Sequence, residues 1–141
     1  MVKLMDSITS SEEVTILDTR VVEAFTLKWR SDGILHSHTS SNLEFNVNSL
    51  KKFNVVMGEM VNYKKVPLLI TFDEFAIPPL ETRVFWAEKD SCPWSSADAY
   101  ITATFGHKLI GNFYLKFNKP GRPTKMFVSE KEAARWLKSF I

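Results

Sequence analysis

The segment LLITFDEFAIPPLETRVF, residues 68–85, decides the fold. It runs from an apolar, β-branched stretch through two acids and a double proline into residues with helical character. Upstream it extends to Val66, and Val66 to Phe72 is short and continuously apolar, the signature of a strand covered on both faces. Pro67 fits near the start of that strand, where a missing N–H does least harm. Leu80 to Lys89 predicts a helix, with Pro79 in the first turn, where proline is best tolerated. The turn from Asp73 to Pro79 therefore joins a buried strand to a helix. In α/β proteins such junctions are where helix N-termini, loops and ligands converge.

The flanks supply a repeating alternation. Phe25, Leu27 and Trp29 alternate with Thr26, Lys28 and Arg30, the period of a half-buried strand, and Ser31-Asp32-Gly33 then turns the chain so that Ile34 to Thr39 returns as a hairpin. Asn46 is the expected N-cap of a helix reaching about Tyr63, whose Val47, Leu50, Phe53, Met57, Met60 and Val61 share one face. After the loop Ser91-Cys92-Pro93-Trp94, Ala99 to Thr104 is β-prone. Gly106 to Asn118 is helical and unusually apolar, with Leu109, Phe113 and Phe117 in one stripe and Ile110 and Tyr114 in another. A surface that wide is either sunk in the core or shared with a partner. Lys125 to Val128 is a short strand, and Ser129 with Glu132 has capping-box spacing for a last helix that buries Ala133, Trp136, Leu137 and Phe140.

This order predicts an α/β fold with a mostly parallel or mixed sheet of four to five strands, an N-terminal hairpin and about four helices. No element is assigned before Phe25. Residues 1–12 are read as a flexible N-terminus and residues 13–141 as a single domain.

Composition bounds the function classes. The chain has 141 residues, 45% of them apolar and 24% charged, which is globular and large enough for one core. No apolar run is long enough to span a bilayer, and Met1 to Ser10 lacks the pattern of a signal peptide. With Cys92 as the one cysteine, no intrachain disulfide forms, and the expected setting is reducing and cytoplasmic. Net charge is only +2, yet residues 106–141 carry eight basic against two acidic residues. That asymmetry suits an anionic partner or a complementary surface on a second subunit.

The element order, together with LIGNFYLKFNKPGRPTKMFVSEKEAARWL at residues 109–137, resembles a group of small bacterial domains with the STAS-like fold of the anti-sigma-factor antagonists. More loosely it is similar to the CRAL-TRIO lipid-binding domains. The residues that carry the resemblance are the helix ending in Phe117-Asn118-Lys119-Pro120, the strand entry Pro123-Thr124 and the closing helix Glu130 to Leu137. From Phe25 to the middle of the chain it rests on element order. In the antagonist branch, a serine after a central strand is phosphorylated by a partner kinase, and its charge switches partner binding. The resemblance places that turn at Asp73 to Leu80, which holds no serine or threonine, and sets Pro79 at the switch position. Proline accepts no phosphate, so the switch is not carried over.

The candidate site residues are few. Asp73 and Glu74 are adjacent acids before a helix, suited to its dipole rather than to paired acid–base work. His36 and His38 share a strand face as half of a zinc site, but no CxxC or HExxH spacing completes it, so no metal or cofactor is expected. Cys92 has no neighbouring base, and no catalytic residue is assigned. Lys116, Lys119, Arg122 and Lys125 surround a Pro-Gly-Arg-Pro turn as a candidate anion-binding cluster, although no motif favours nucleic acid. An apolar small molecule fits between Phe113, Phe117, Met57 and Trp86 if a void lies there. The leading expectation is a non-enzymatic regulatory or interaction module, self-associating as a homodimer through Leu109, Ile110, Phe113, Tyr114 and Phe117. The alternative is a binding domain for a lipid-like or anionic small ligand.

Overall fold

Residues 13–141 are described by a computed structural model; the expected flexible N-terminus, residues 1–12, lies outside the described residues. Six strands form one mixed sheet: β1 (Ile16–Val22), β2 (Phe25–Arg30), β3 (Leu35–Thr39), β4 (Val66–Phe72), β5 (Ser95–Ile101) and β6 (Thr124–Phe127). They lie side by side in chain order, β1 to β3 antiparallel and β3 to β6 parallel. Four helices are described: α1 (Val47–Met60), α2 (Leu80–Ala87), α3 (Phe105–Phe113) and α4 (Glu130–Lys138).

Central position explains why β4 reads as an unbroken apolar run. It is paired on both edges and covered on both faces, with Pro67 to Thr71 all buried. The register slips between Val66 and Pro67, so the imide nitrogen falls at an irregularity of the ladder. On one face Leu27, Leu35 and Leu68 lie with no solvent exposure beneath α1, whose Met57 is as deeply buried, and α2. On the other, α4 seals Ile34, Leu69, Ala97 and Ala99 with Ala133 and Leu137. Burial of such a side chain stabilises by about 1.5–3 kcal/mol.

Local chemistry ends the helices as the sequence predicts. Asn46 caps α1 as expected and forms a reciprocal box with Ser49; at α4 the expected Ser129–Glu132 box forms in its Ser129 half, which accepts from the backbone of Glu132. The double proline is held by the first turn of α2: Thr82 Oγ1 donates to the Pro79 carbonyl and Arg83 Nη1 to that of Pro78, both at 2.6 Å.

The expected four or five strands become six because β1 was given no element. Its hairpin with β2 closes through Glu23, at φ +51°, and Ala24, without the glycine or asparagine that marks such turns. The strand is also an edge, largely exposed, so its apolar residues follow no clean alternation. β5 starts at Ser95 rather than near Ala99, since Ser95 and Asp98 are polar residues inside the core. The helix over residues 106–118 changes character at its end. After Phe113 the chain runs through a π-helical turn, Tyr114–Asn118, closed by Lys119 N–H donating to the Tyr114 carbonyl at 3.1 Å. Lys119 stops it in the left-handed region, φ +51°.

Asp98 is fully buried. Its carboxylate accepts from Trp86 Nε1 at 3.0 Å, Ser95 Oγ at 2.5 Å and Arg122 Nε at 3.0 Å, with Arg122 Nη2 at 2.9 Å. The Arg122 guanidinium stacks 4.8 Å over Trp86 and donates to Ser91 Oγ. Burial opposes its charge, but Asp98 outweighs that and raises the Arg122 pKa. Close docking of the preceding turn requires Gly121, where a Cβ would meet Lys89 Cα at 2.7 Å. We expect Arg122→Ala to cost about 3–5 kcal/mol in urea unfolding by stranding a buried carboxylate, and the Asp98→Ala, Arg122→Ala pair to cost less than Arg122→Ala alone.

Candidate functional site

At the carboxyl ends of the parallel strands, a cavity of about 90 Å³ lies between the sheet and α1 to α3. Its walls are mostly apolar and rich in aromatic rings, with Phe25, Phe53, Phe72, Trp86, Tyr100 and Tyr114 among them. Ile77 is the exposed part of the wall, so the mouth opens at the loop between β4 and α2. The inner face of α3 builds one side: His107, Ile110, Gly111 and Tyr114 recur at helical spacing, and Tyr114, whose N–H still donates to the Ile110 carbonyl, meets Tyr100 edge-on at 5.8 Å.

Polar groups punctuate this apolar wall. Ser37, Thr39 and Thr82 bring hydroxyls to it, and His107 joins it from the first turn of α3. His107 is set by Thr104, whose hydroxyl caps α3 by accepting from His107 N, and by Nε2, which donates to the Ala76 carbonyl at 3.2 Å. The other ring nitrogen, Nδ1, is then an acceptor, and it is buried with no partner. The Tyr114 hydroxyl is buried and unpartnered as well. Burial raises the pKa of both Tyr100 and Tyr114, and Asp98 adds to the shift, so both phenols stay neutral. Such orphaned groups cost about 1–3 kcal/mol each until something supplies the missing hydrogen bond.

A second polar assembly sits on the opposite face of the sheet, beyond the reach of α4. Thr71 Oγ1 lies 2.8 Å from His36 Nε2 and 2.7 Å from His38 Nδ1, and His38 Nε2 lies 2.7 Å from Asp73 Oδ1. With neutral imidazoles these distances define one relay: His36 donates to Thr71, Thr71 to His38, and His38 to Asp73. The hydrogen bond from His38, with that from Ser41 N, holds the Asp73 carboxyl below its usual range. Burial lowers His36 to about 4, and the nearby Arg30, His38 and Lys28 push the same way. The threonine hydroxyl consumes both histidines, and no cluster of three metal-ligating side chains occurs among the described residues. Its geometry is that of a staple between β3 and β4.

The residues singled out from sequence separate. Asp73 belongs to the staple, whereas Glu74 is exposed, and Pro79 caps α2 beside the cavity mouth. Tyr114 is buried and Ile110 half-buried in the cavity wall, while Leu109, Phe113 and Phe117 face outward. Phe113, Phe117 and Met57 thus do not bound the void; of the four side chains expected around it, Trp86 does. Lys116, Lys119 and Lys125 are exposed, but Arg122 turns inward to Asp98 and leaves the anion-binding cluster. Cys92 is buried 3.8 Å from Met57 Sδ, and burial pushes its thiol up to about 12, which removes it as a nucleophile. Sequence reading missed Thr71, Asp98 and the place of His107 in the cavity wall. An N-cap threonine three residues before His107 is the one local signal that would have pointed inward.

His36 binds its proton in the unfolded chain near 6.5 and in the folded chain near 4. Between those values the unfolded state holds more protons, so stability falls as the solution is acidified through that window. The loss expected in denaturant titrations is on the order of 3 kcal/mol, and it should be absent in His36→Gln. Glu23 and Asp73, whose carboxyls are held down by Lys52 and His38, add losses only at lower pH.

No curated protein matches the chain. A solved structure described as a protein with unknown function, from Arthrobacter sp. FB24, aligns with 22% identity over 79% of this chain and 96% of its own, at a TM-score of 0.28. The family model described as a domain of unknown function, DUF7793, matches residues 28–141, from within β2 to the last residue, and so takes in the staple and all of the cavity wall but Phe25. The chain belongs to the DUF7793 family.

Proposed function

We propose that the protein is a non-enzymatic binding module whose ligand is a small, uncharged, largely apolar molecule carrying a hydroxyl or similar donor. The observation that carries this reading is the aromatic cavity with two buried, unpartnered polar atoms in its wall residues, His107 Nδ1 and the Tyr114 hydroxyl. An incoming hydroxyl donates to the first and accepts from the second. The phenols in the wall favour binding over chemistry, since Tyr100 and Tyr114 are both held neutral. At about 90 Å³ the cavity is smaller than the roughly 150 Å³ void known to take benzene, so a phenol-sized ring enters hydroxyl first with its outer edge in the mouth at Ile77. It suits a compact molecule, or the end of a longer one entering past Ile77. The position supports the reading too, because ligands of open α/β sheets bind beyond the carboxyl ends of the strands. A STAS-like frame is part of the proposal, supported by the order hairpin, helix, strand, helix, strand, helix, strand, helix.

The test uses phenol as a probe, with saturation-transfer NMR as the readout and native mass spectrometry of freshly purified protein for a retained molecule. We expect saturation to pass from protein to phenol, and to be lost in Ser37→Leu, whose side chain extends into the void. Unfolding of that variant should show none of the roughly 1–3 kcal/mol cost of overpacking, since it fills empty space. No transfer and no retained mass would overturn the proposal.

A further inference from the structure

α3 carries a second apolar surface that has no part in the cavity. Phe105, Leu109, Phe113 and Phe117 recur every four residues along its outer side and are 80, 59, 45 and 60% exposed. A four-residue step drifts around an ordinary α-helix. The wider π-turn offsets that drift at the end of the stripe, and the Phe113 and Phe117 rings meet at 4.5 Å. Bulky side chains lined up in water mark an interaction surface rather than scattered exposure.

Charge says what covers it. From Ala99 to Ser129 the chain has no acidic residue, while Lys108, Lys116 and Lys119 lie exposed on α3 and the turn that follows it. Arg122 is excluded from that surface because Asp98 neutralises it. Lys116 places its ammonium 5.5 Å over the Phe117 ring, so cation and aromatic share one patch. A two-fold dimer through this face would bring the same lysines against one another across the interface, which disfavours a second copy. Aromatic side chains with lysines beside them match an anionic lipid bilayer, where the rings enter the headgroup boundary and the ammonium groups meet lipid phosphate.

We infer that the Phe105–Phe117 stripe of α3 docks the protein on anionic membrane surfaces. The docking is peripheral: no described helix is long and apolar enough to cross a membrane. It does not rest on the cavity reading, since the stripe residues lie outside the void.

Co-sedimentation with vesicles of phosphatidylcholine alone, and of phosphatidylcholine with phosphatidylglycerol, tests the inference. Binding is expected to the anionic vesicles, to weaken with salt, and to be at least about tenfold weaker to the neutral ones. Phe113→Ser with Phe117→Ser, and separately Lys116→Glu with Lys119→Glu, should each reduce binding about tenfold or more. All four residues are exposed, so circular dichroism and the unfolding midpoint should stay unchanged and the phenol signal intact. Failure to bind anionic vesicles, or binding indifferent to both double variants, would overturn the inference. So would sedimentation velocity showing a wild-type dimer that the phenylalanine variant converts to monomer, since the stripe would then belong to a second copy.

Discussion

The ion pair between Asp98 and Arg122 is the constraint on which the carboxyl-terminal half of the structure depends. A carboxylate with no solvent exposure is tolerable only if its hydrogen-bonding capacity is filled, and here Trp86, Ser95 and Arg122 fill it. Those partners come from the end of α2, the start of β5 and the turn before β6. One buried charge therefore sets where α2 ends, where β6 enters the sheet, and how closely the Gly121 turn packs on Lys89. The Trp86 ring held in this way is also a wall of the cavity.

The cavity follows from the same geometry. Trp86 is fixed on one side by Asp98 and packed edge-on against Phe53 at 5.6 Å on the other. Tyr114 stands opposite on the inner face of α3, and His107 is pinned by its cap and by Ala76. Rings anchored at their far edges cannot collapse into the space between them, so a void persists where close packing would otherwise remove it. The helix also divides the labour of one segment: its inner stripe puts Tyr114 in the interior while its outer stripe leaves Phe113 and Phe117 on the surface.

Much of the frame was legible along the chain. β4 declared itself by continuous apolarity, the β2–β3 hairpin by alternation and a Ser-Asp-Gly turn, and α1 and α4 by their caps and periodic faces, because each signal is local and uses the chain's own period. What escaped had non-local causes. β1 has no pattern of its own and exists through pairing with β2. The first half of β5 looked like a polar loop because Asp98 meets its counter-charge 24 residues later. Arg122 looked like a surface cation for the same reason.

The double proline within LLITFDEFAIPPLETRVF shows where the boundary falls. Sequence alone determined that a buried strand ends there and a helix begins, since proline geometry, helix-start chemistry and apolar runs are properties of neighbouring residues. It also determined that no phosphorylatable side chain stands at the turn. Only the tertiary structure decided that this junction opens onto an aromatic cavity, that Asp73 braces a histidine staple, and that Tyr114 and Phe117 face opposite ways. Those outcomes depend on which distant groups meet, and that is not written in the spacing of the chain.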